Sequence, residues 1–218
     1  MDFKNTLLWK RGLGEQSGDN EAEAQARTKL REAYLQMRDN AAELVSSIPD
    51  DCKGLTVHDI THLDALWDVA DTIVGPDYAL TPSEAFVFGG ALLLHDAGLT
   101  IAAYQNGVSD LARTTEWRDA ASTAIRRRRD RPATQDEIDH PPEDVRKEVI
   151  FATLRALHAR QAEQLATMAW PLPKKPGEQI RILDQTQLRS AYSHRTNTSR
   201  LLQVVAKRSR TRLGPISP

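Results

Sequence analysis

The residues most able to do chemistry are histidines and an aspartate that lie beside apolar runs. His95 and Asp96 directly follow Leu92-Leu93-Leu94, and His58 and His62 lie four residues apart upstream. A charged pair at the end of a buried segment is costly to bury without a partner. A divalent metal suits both groups, because imidazole nitrogen and carboxylate oxygen are ordinary ligands of first-row metals. The spacing therefore predicts a metal centre.

Two further histidines, His158 and His194, lie on helix-like segments downstream. A lone histidine on an apolar helix is more often a core residue than a ligand, and both interpretations stay open at this stage. We expect these two to join the His95-Asp96 pair. His140, between Asp139 and a proline, is expected in a loop.

Composition limits the classes of function. The chain has 218 residues, a formal net charge of −1 and a single cysteine, Cys52. A net charge near zero does not indicate a nucleic-acid partner or a membrane partner. One cysteine excludes an internal disulfide and fits a reducing compartment, and a thiolate nucleophile remains an alternative use for it. No signal peptide or membrane span is recognisable, so we expect a cytoplasmic protein.

Apolar spacing predicts a mostly or wholly helical fold. Aromatic residues make up only 6% of the chain, whereas good helix formers are frequent. Steps of three and four residues predict a helix over 20–47, another after Asp59 or Thr61 that stops at Gly75, and a third from Thr81 towards Gly98. Two glycines inside the third, Gly89 and Gly90, suggest close backbone packing.

The second half is predicted as two helices with loops between them. We expect helices over 142–168 and 180–194, with a loop at 171–177. Segment 114–142 holds an arginine run (126–131) and prolines, and we interpret it as a charged insertion or a mobile excursion that is poor in core residues. The domain is then 20–206, with an N-terminal extension (1–19) and a tail (207–218).

The order of these elements resembles the HD superfamily of metal-dependent phosphohydrolases, which are all-helical. The strongest match is Ala91-Leu92-Leu93-Leu94-His95-Asp96-Ala97-Gly98. The resemblance implies an HD-domain-like helical bundle over about residues 30–200. It also implies that an early histidine, a His-Asp pair and later histidines gather around one or two metals.

Transferred position by position, the resemblance gives the ligand set. His62 matches the first ligand, His95 and Asp96 the doublet, and His158 and His194 the histidines of a second metal. Asp96 is then also catalytic, since it would bridge two metals. His58 lies one helical turn before His62, so it could be the first ligand itself, a donor behind the ligands, or a group that touches substrate.

A narrower likeness is to HD domains of bacterial conflict-system effectors. It rests on Leu55-Thr56-Val57-His58-Asp59-Ile60-Thr61-His62 and on the helix from Leu154 to Ala162. That likeness implies a fused or associated ATPase of the GHKL class as partner.

Two positions depart from the superfamily pattern. No aspartate follows His194, where a late aspartate ligand is usual, and Leu99 stands where many relatives have lysine. Either the chain is part of a longer protein or the site is incomplete. Without the lysine, the charge of a phosphate would fall to Arg155, Arg160 or Arg195.

The implied reaction is hydrolysis of a phosphomonoester or phosphodiester, with a nucleotide as one candidate substrate. A nitrogen-rich ligand set suits Mn, Fe, Co, Ni or Zn better than Mg or Ca. One alternative is a non-catalytic sensor or docking module with an HD-like pocket. Another is a nuclease whose arginine run contacts the strand, although a solvated helix face explains that run more simply.

Overall fold

Helices make up most of the computed structural model, which describes residues 2–55, 58–171 and 177–181. This arrangement confirms the predicted all-α class and adds two three-residue strands. None of the described helices is both long enough and apolar enough to cross a bilayer. Short 3-10 helices cover Phe3–Asn5, Ala97–Leu99 and Ile101–Ala103. The other elements are α1 (Leu7–Gly12), α2 (Glu21–Val45), α3 (Ile48–Asp51), α4 (Ile60–Val74), α5 (Pro82–Leu94), α6 (Val108–Leu111), α7 (Thr115–Arg129), α8 (Gln135–Asp139), α9 (Glu143–Leu165), β1 (Ala169–Pro171) and β2 (Gln179–Arg181).

Local sequence signals set where the main helices begin. Asn20 and Glu23 form a capping box at the start of α2, and Thr81 and Glu84 form another at the start of α5. Pro82 occupies the first turn of α5, where its missing N–H costs nothing. The predicted stripe of α2 is buried in the core: Leu30, Ala33, Tyr34, Met37, Ala41, Leu44 and Val45.

Helix α5 packs closely on α2 and α4 because Gly89 has no side chain. A Cβ at this position would lie 2.5 Å from both the Trp67 and the Tyr34 ring. The Trp67 indole N–H donates to the Tyr34 hydroxyl at 2.9 Å, so this buried aromatic pair is satisfied. The predicted role of this glycine in close packing is confirmed.

Part of the segment that the sequence predicts as an N-terminal extension (1–19) contributes to the core. Phe3, Leu8, Trp9 and Leu13 are buried, and Trp9 lies edge-on to Trp67 with ring centroids 5.6 Å apart. The composition of this stretch is polar overall, and its few large apolar residues are the ones that pack.

Segment 114–142 also differs from its prediction as an insertion poor in core residues. Helix α7 packs along α9 and buries Trp117, Ala121, Ala124 and Ile125. The Trp117 indole donates to the Ile138 carbonyl at 2.9 Å and joins α7 to α8. The apolar residues repeat at helical spacing, but the many charges on the outer face mask that pattern in a composition count.

The C-terminal prediction is wrong at its start. Residues Ala169 and Pro171 pair antiparallel with Arg181 and Gln179, so strand β2 lies where a helix from 180 was expected. The Asn40 amide donates to the Arg181 carbonyl at 2.9 Å, which ties this strand to α2. The remainder of the predicted helix, with His194 and Arg195, and the tail lie outside the described residues, and the outer domain boundary stays a prediction.

Candidate metal centre

The start of α4 positions two histidines. Asp59 caps this helix: its carboxylate accepts from the Thr61 N–H at 2.8 Å and from the His62 N–H at 3.3 Å. These bonds lower the pKa of Asp59, the hydroxyl of Thr61 contributing most. His58 immediately precedes the cap, and its ring centroid lies 5.2 Å from that of His62. The cap therefore fixes both imidazoles at one end of α4.

The end of α5 supplies the second half of the site. The helix ends at Leu94, earlier than the predicted end near Gly98, and His95 is its C-cap. His95 Nδ1 lies 2.8 Å from the Leu92 carbonyl oxygen. Because a carbonyl only accepts, Nδ1 carries the proton, and in the neutral imidazole Nε2 presents a lone pair. Asp96 follows at once.

Three imidazoles meet at one oxygen of Asp96. The distances from Asp96 Oδ2 to Nε2 are 3.8 Å for His58, 3.6 Å for His62 and 2.8 Å for His95. Ligand atoms of His58, His62 and Asp96 all lie within 4.8 Å of one another. Donor atoms around one tetrahedral zinc-like ion lie about 3.4 Å apart, so this spacing fits a shared cation.

Helix α9 brings His158 towards the same place. The 3-10 helix after Asp96 lies directly on α9, since a Cβ on Gly98 would come within 2.4 Å of the His158 carbonyl oxygen. His158 Nδ1 lies 2.6 Å from the Arg155 carbonyl and must donate to it, as in His95. His158 makes a small contribution to lowering the pKa of Asp96.

The electrostatics of the cluster favour an ionised Asp96. Burial raises the pKa of Asp96, but the hydrogen bond and charge of His95, together with His58 and His158, lower it below its usual value. Burial lowers the pKa of His95, yet its bond to Asp96 outweighs this effect and the net shift is upward. The pKa of His62 is lowered, mainly by burial and then by its histidine neighbours against the pull of Asp96.

Two of the three predicted phosphate-binding arginines, Arg155 and Arg160, lie on different faces of α9. Arg155 precedes His158 by one turn and is exposed. Arg160 is about 200° around the helix from His158, and it pairs with Glu116 at 3.3 Å. Arg155 is thus beside the cluster, whereas Arg160 faces another cleft with Tyr104.

The remaining predicted residues do not add to the described site. His194 and Arg195 lie outside the described residues, so their assignments stay predictions. His140 follows α8 and is exposed, 3.4 Å from Asp136, as expected of a loop histidine. Burial raises the pKa of the Cys52 thiol to about 11, so this cysteine is a neutral core residue near pH 7 and a poor nucleophile.

Sequence reasoning missed what supports the ligands. It named Asp59 as a possible cap, but not that this cap holds the histidines on either side of it. It also missed that Gly98 lets α9 approach the doublet. A glycine two residues after an aspartate was a visible signal, but the distant partner was not.

Comparison with known families agrees with this geometry. The HD-CE family model matches residues 52–212, which include every residue of the cluster. The chain belongs to the HD-CE family. Neither a curated protein nor a solved structure shows significant similarity to it. The HD-CE assignment supports an HD-type domain, and His58, His62 and Asp96 could hold a metal within it.

Proposed function

We propose that the protein is a metal-dependent phosphohydrolase that cleaves a phosphomonoester or phosphodiester. The observation that carries this proposal is the convergence of His58, His62 and His95 on one carboxylate oxygen of Asp96. These residues come from the start of α4 and the end of α5, and such a meeting of imidazoles with a carboxylate is the donor set of a transition-metal centre. Membership of the HD-CE family supports the same conclusion.

The residues present fit a divalent cation. His58, His62 and Asp96 would hold it, since their ligand atoms lie within 4.8 Å of one another, with His95 beside Asp96 as a further donor and His158 available for a second ion. The nitrogen-rich set favours Mn, Fe, Co, Ni or Zn. When bound, such a cation lowers the pKa of a coordinated water and offsets the charge of phosphate oxygens.

The protein's own groups then have distinct roles. Asp96 keeps its negative charge at neutral pH because neighbouring imidazoles lower its pKa. His58 Nε2, 3.8 Å from Asp96 Oδ2, supplies a nitrogen donor next to the carboxylate oxygen that His95 also contacts. Arg155 offers a guanidinium to the phosphate from the adjacent turn of α9. Its donors match phosphate oxygens in a bidentate geometry.

Metal content and ester hydrolysis test the proposal together. We expect the wild-type protein to retain transition metal through purification and to hydrolyse p-nitrophenyl phosphate or bis(p-nitrophenyl) phosphate. His95→Ala and Asp96→Ala should each lose metal and lower kcat/KM at least about a hundredfold, because each removes a donor. His140→Ala is the matched control, since His140 is exposed and away from the cluster.

Circular dichroism of each variant separates loss of the site from loss of the helices. A wild-type protein without metal that hydrolyses neither ester would contradict the proposal and favour a non-catalytic sensor or docking module. Wild-type rates from a well-folded Asp96→Ala would also overturn it.

A further inference from the structure

A cleft of about 420 Å³ lies between the end of α3, the 3-10 helix that starts at Ile101 and the first half of α9, and it has no part in the role proposed above. Its apolar wall consists of Ile101, Ile150 and Phe151. We call it the lysine cleft, and its charged rim consists of Asp50, Asp51, Lys53, Lys147 and Glu148. Its size falls in the range of pockets that hold small organic ligands, and its mixture of apolar wall and charged rim is typical of them.

The carboxylates of the rim are mostly occupied by the protein itself. Asp51 Oδ2 accepts from the Thr100 hydroxyl at 2.7 Å and from the Ile101 N–H at 2.8 Å. Glu148 pairs with Arg127 at 2.5 Å and Arg128 at 3.7 Å.

The lysines of the rim are not neutralised in this way. Within residues 2–55, 58–171 and 177–181, neither Lys53 nor Lys147 forms an ion pair, and Asp50 is the remaining opposing charge. The lysine cleft therefore presents two available ammonium groups above an apolar wall. This combination suits a ligand with a planar ring and an anionic group.

Two connections relate the cleft to the metal cluster. Lys147, Phe151 and His158 share one face of α9, and seven residues between Phe151 and His158 correspond to about 10 Å of rise. Between them, the Arg155 guanidinium lies 5.8 Å from the Phe151 ring centroid. On the other wall, Lys53 precedes His58 by five residues, which limits the separation of their Cα atoms to at most about 18 Å. A single extended ligand can thus reach both places.

We propose that the lysine cleft binds a second phosphate group of the substrate, which is a nucleotide phosphodiester with a terminal phosphate. This inference rests on the proposed function, because the scissile phosphate is assigned to the metal cluster. The intervening nucleoside lies along α9 with its ring against Phe151 and the apolar wall. Lys53 and Lys147 hold the terminal phosphate, and Arg155 lies between the two phosphates.

Paired dinucleotides test this assignment. The probes are 5′-phosphorylated diadenylate and the same dinucleotide without the terminal phosphate. We expect kcat/KM of the wild-type protein to be about tenfold higher for the phosphorylated form, as one or two charge-assisted hydrogen bonds predict. Lys53→Ala and Lys147→Ala should each reduce this ratio, and the double variant should abolish it.

Lys29→Ala is the matched control, because Lys29 is an exposed lysine on α2 and should keep the wild-type ratio. An unchanged ratio in the double variant would refute the lysine cleft as the phosphate site, while hydrolysis itself would leave the proposed function standing. If the wild-type protein hydrolyses neither these dinucleotides nor the p-nitrophenyl esters, the proposed function is refuted instead.

A binding measurement decides the inference independently of turnover. The probe is 5′-phosphorylated diadenylate with a fluorophore at its 3′ end. The Asp96→Asn protein is titrated into this probe, and binding is followed by fluorescence anisotropy. Adding Lys53→Ala and Lys147→Ala should raise Kd about tenfold. An equal Kd with and without the two lysines would overturn the proposal even if no substrate is ever hydrolysed.

Discussion

Backbone carbonyls determine which imidazole nitrogen faces the metal cluster. His95 and His158 each give the Nδ1 proton to the carbonyl three residues earlier, at 2.8 Å and 2.6 Å. Both rings therefore present Nε2 to the interior of the site. Such a bond fixes the orientation of the ring and makes its other nitrogen a better ligand. The two histidines lie on unrelated helices and use the same local device.

Metal affinity should depend on pH in a direction set by His95. Its pKa is raised above the usual 6.5, so the proton remains on the ring to higher pH than in free histidine. A cation must displace that proton, and affinity is full only above the raised pKa. We expect the Kd for Mn²⁺ or Zn²⁺, measured by isothermal titration, to increase as pH falls through a midpoint above 6.5.

His95→Asn supplies the comparison. We expect this variant to bind metal more weakly. We also expect the Kd for metal to lose the part of its pH dependence that arises from protonation of His95. A pH profile identical to that of the wild-type protein would show that another group controls binding.

The sequence largely predicted the individual residues of the site, but it did not predict the contacts that position them. The apolar run before His95-Asp96 marks the doublet, and the four-residue spacing places His58 and His62 on one side of a helix start. Which of the two is the first ligand stayed open because both come within 4 Å of Asp96 Oδ2. The lysine cleft was invisible, because Lys53 and Lys147 are far apart in sequence and meet only through tertiary packing.

Helix packing depends on where side chains are absent. A Cβ on Gly89 would clash with two rings, whereas a Cβ on Gly90 would meet only the end of the Met37 side chain, its methyl at 3.1 Å and its sulfur at 3.7 Å. Adjacent glycines in one helix thus have different packing environments. Sequence alone predicted close packing for both, since the partner helices could not be assigned.

Gly89→Ala should destabilise the protein by about 1–3 kcal/mol, because the core must shift to admit the methyl group. Gly90→Ala is the matched control and should be neutral or stabilising by up to about 1 kcal/mol, since alanine favours the helix and the end of Met37 can move. Urea unfolding of both variants measures the difference. Equal effects at the two positions would contradict the proposed packing.

At the scale of the molecule, a charge network holds the far end of α7 against α8 and α9. Arg131 makes a bidentate pair with Glu137 at 2.6 and 2.8 Å, and Arg129 joins Glu137 and Asp144. The arginine run is thus engaged largely with carboxylates of the protein, which gives the nuclease alternative little support. Runs of this kind look like binding motifs in sequence because their partners lie on other helices.

Glu137 makes this network sensitive to acid. The bond with Arg131, aided by Thr134, lowers the pKa of Glu137 to about 2. A depressed carboxyl pKa stabilises the folded state above the unfolded value of about 4.5, and the contribution disappears as pH falls towards 2. We expect the difference in Tm between wild-type protein and Glu137→Gln to be largest above pH 4.5 and to vanish near pH 2.

Glu32→Gln serves as the control, because Glu32 is an exposed carboxylate on α2. Its difference from wild type should be small throughout this range. A Glu137→Gln difference that persists at pH 2 would assign the effect to packing rather than to charge.

The aromatic cluster of Phe3, Trp9, Tyr34 and Trp67 crosses the boundary at which family similarity begins. Three of these rings precede residue 52, and only Trp67 lies inside the matched region. An excised version that starts at the family boundary would leave the Trp67 indole facing water and the back of α5 uncovered. The evolutionary unit and the thermodynamic unit of this protein therefore have different beginnings.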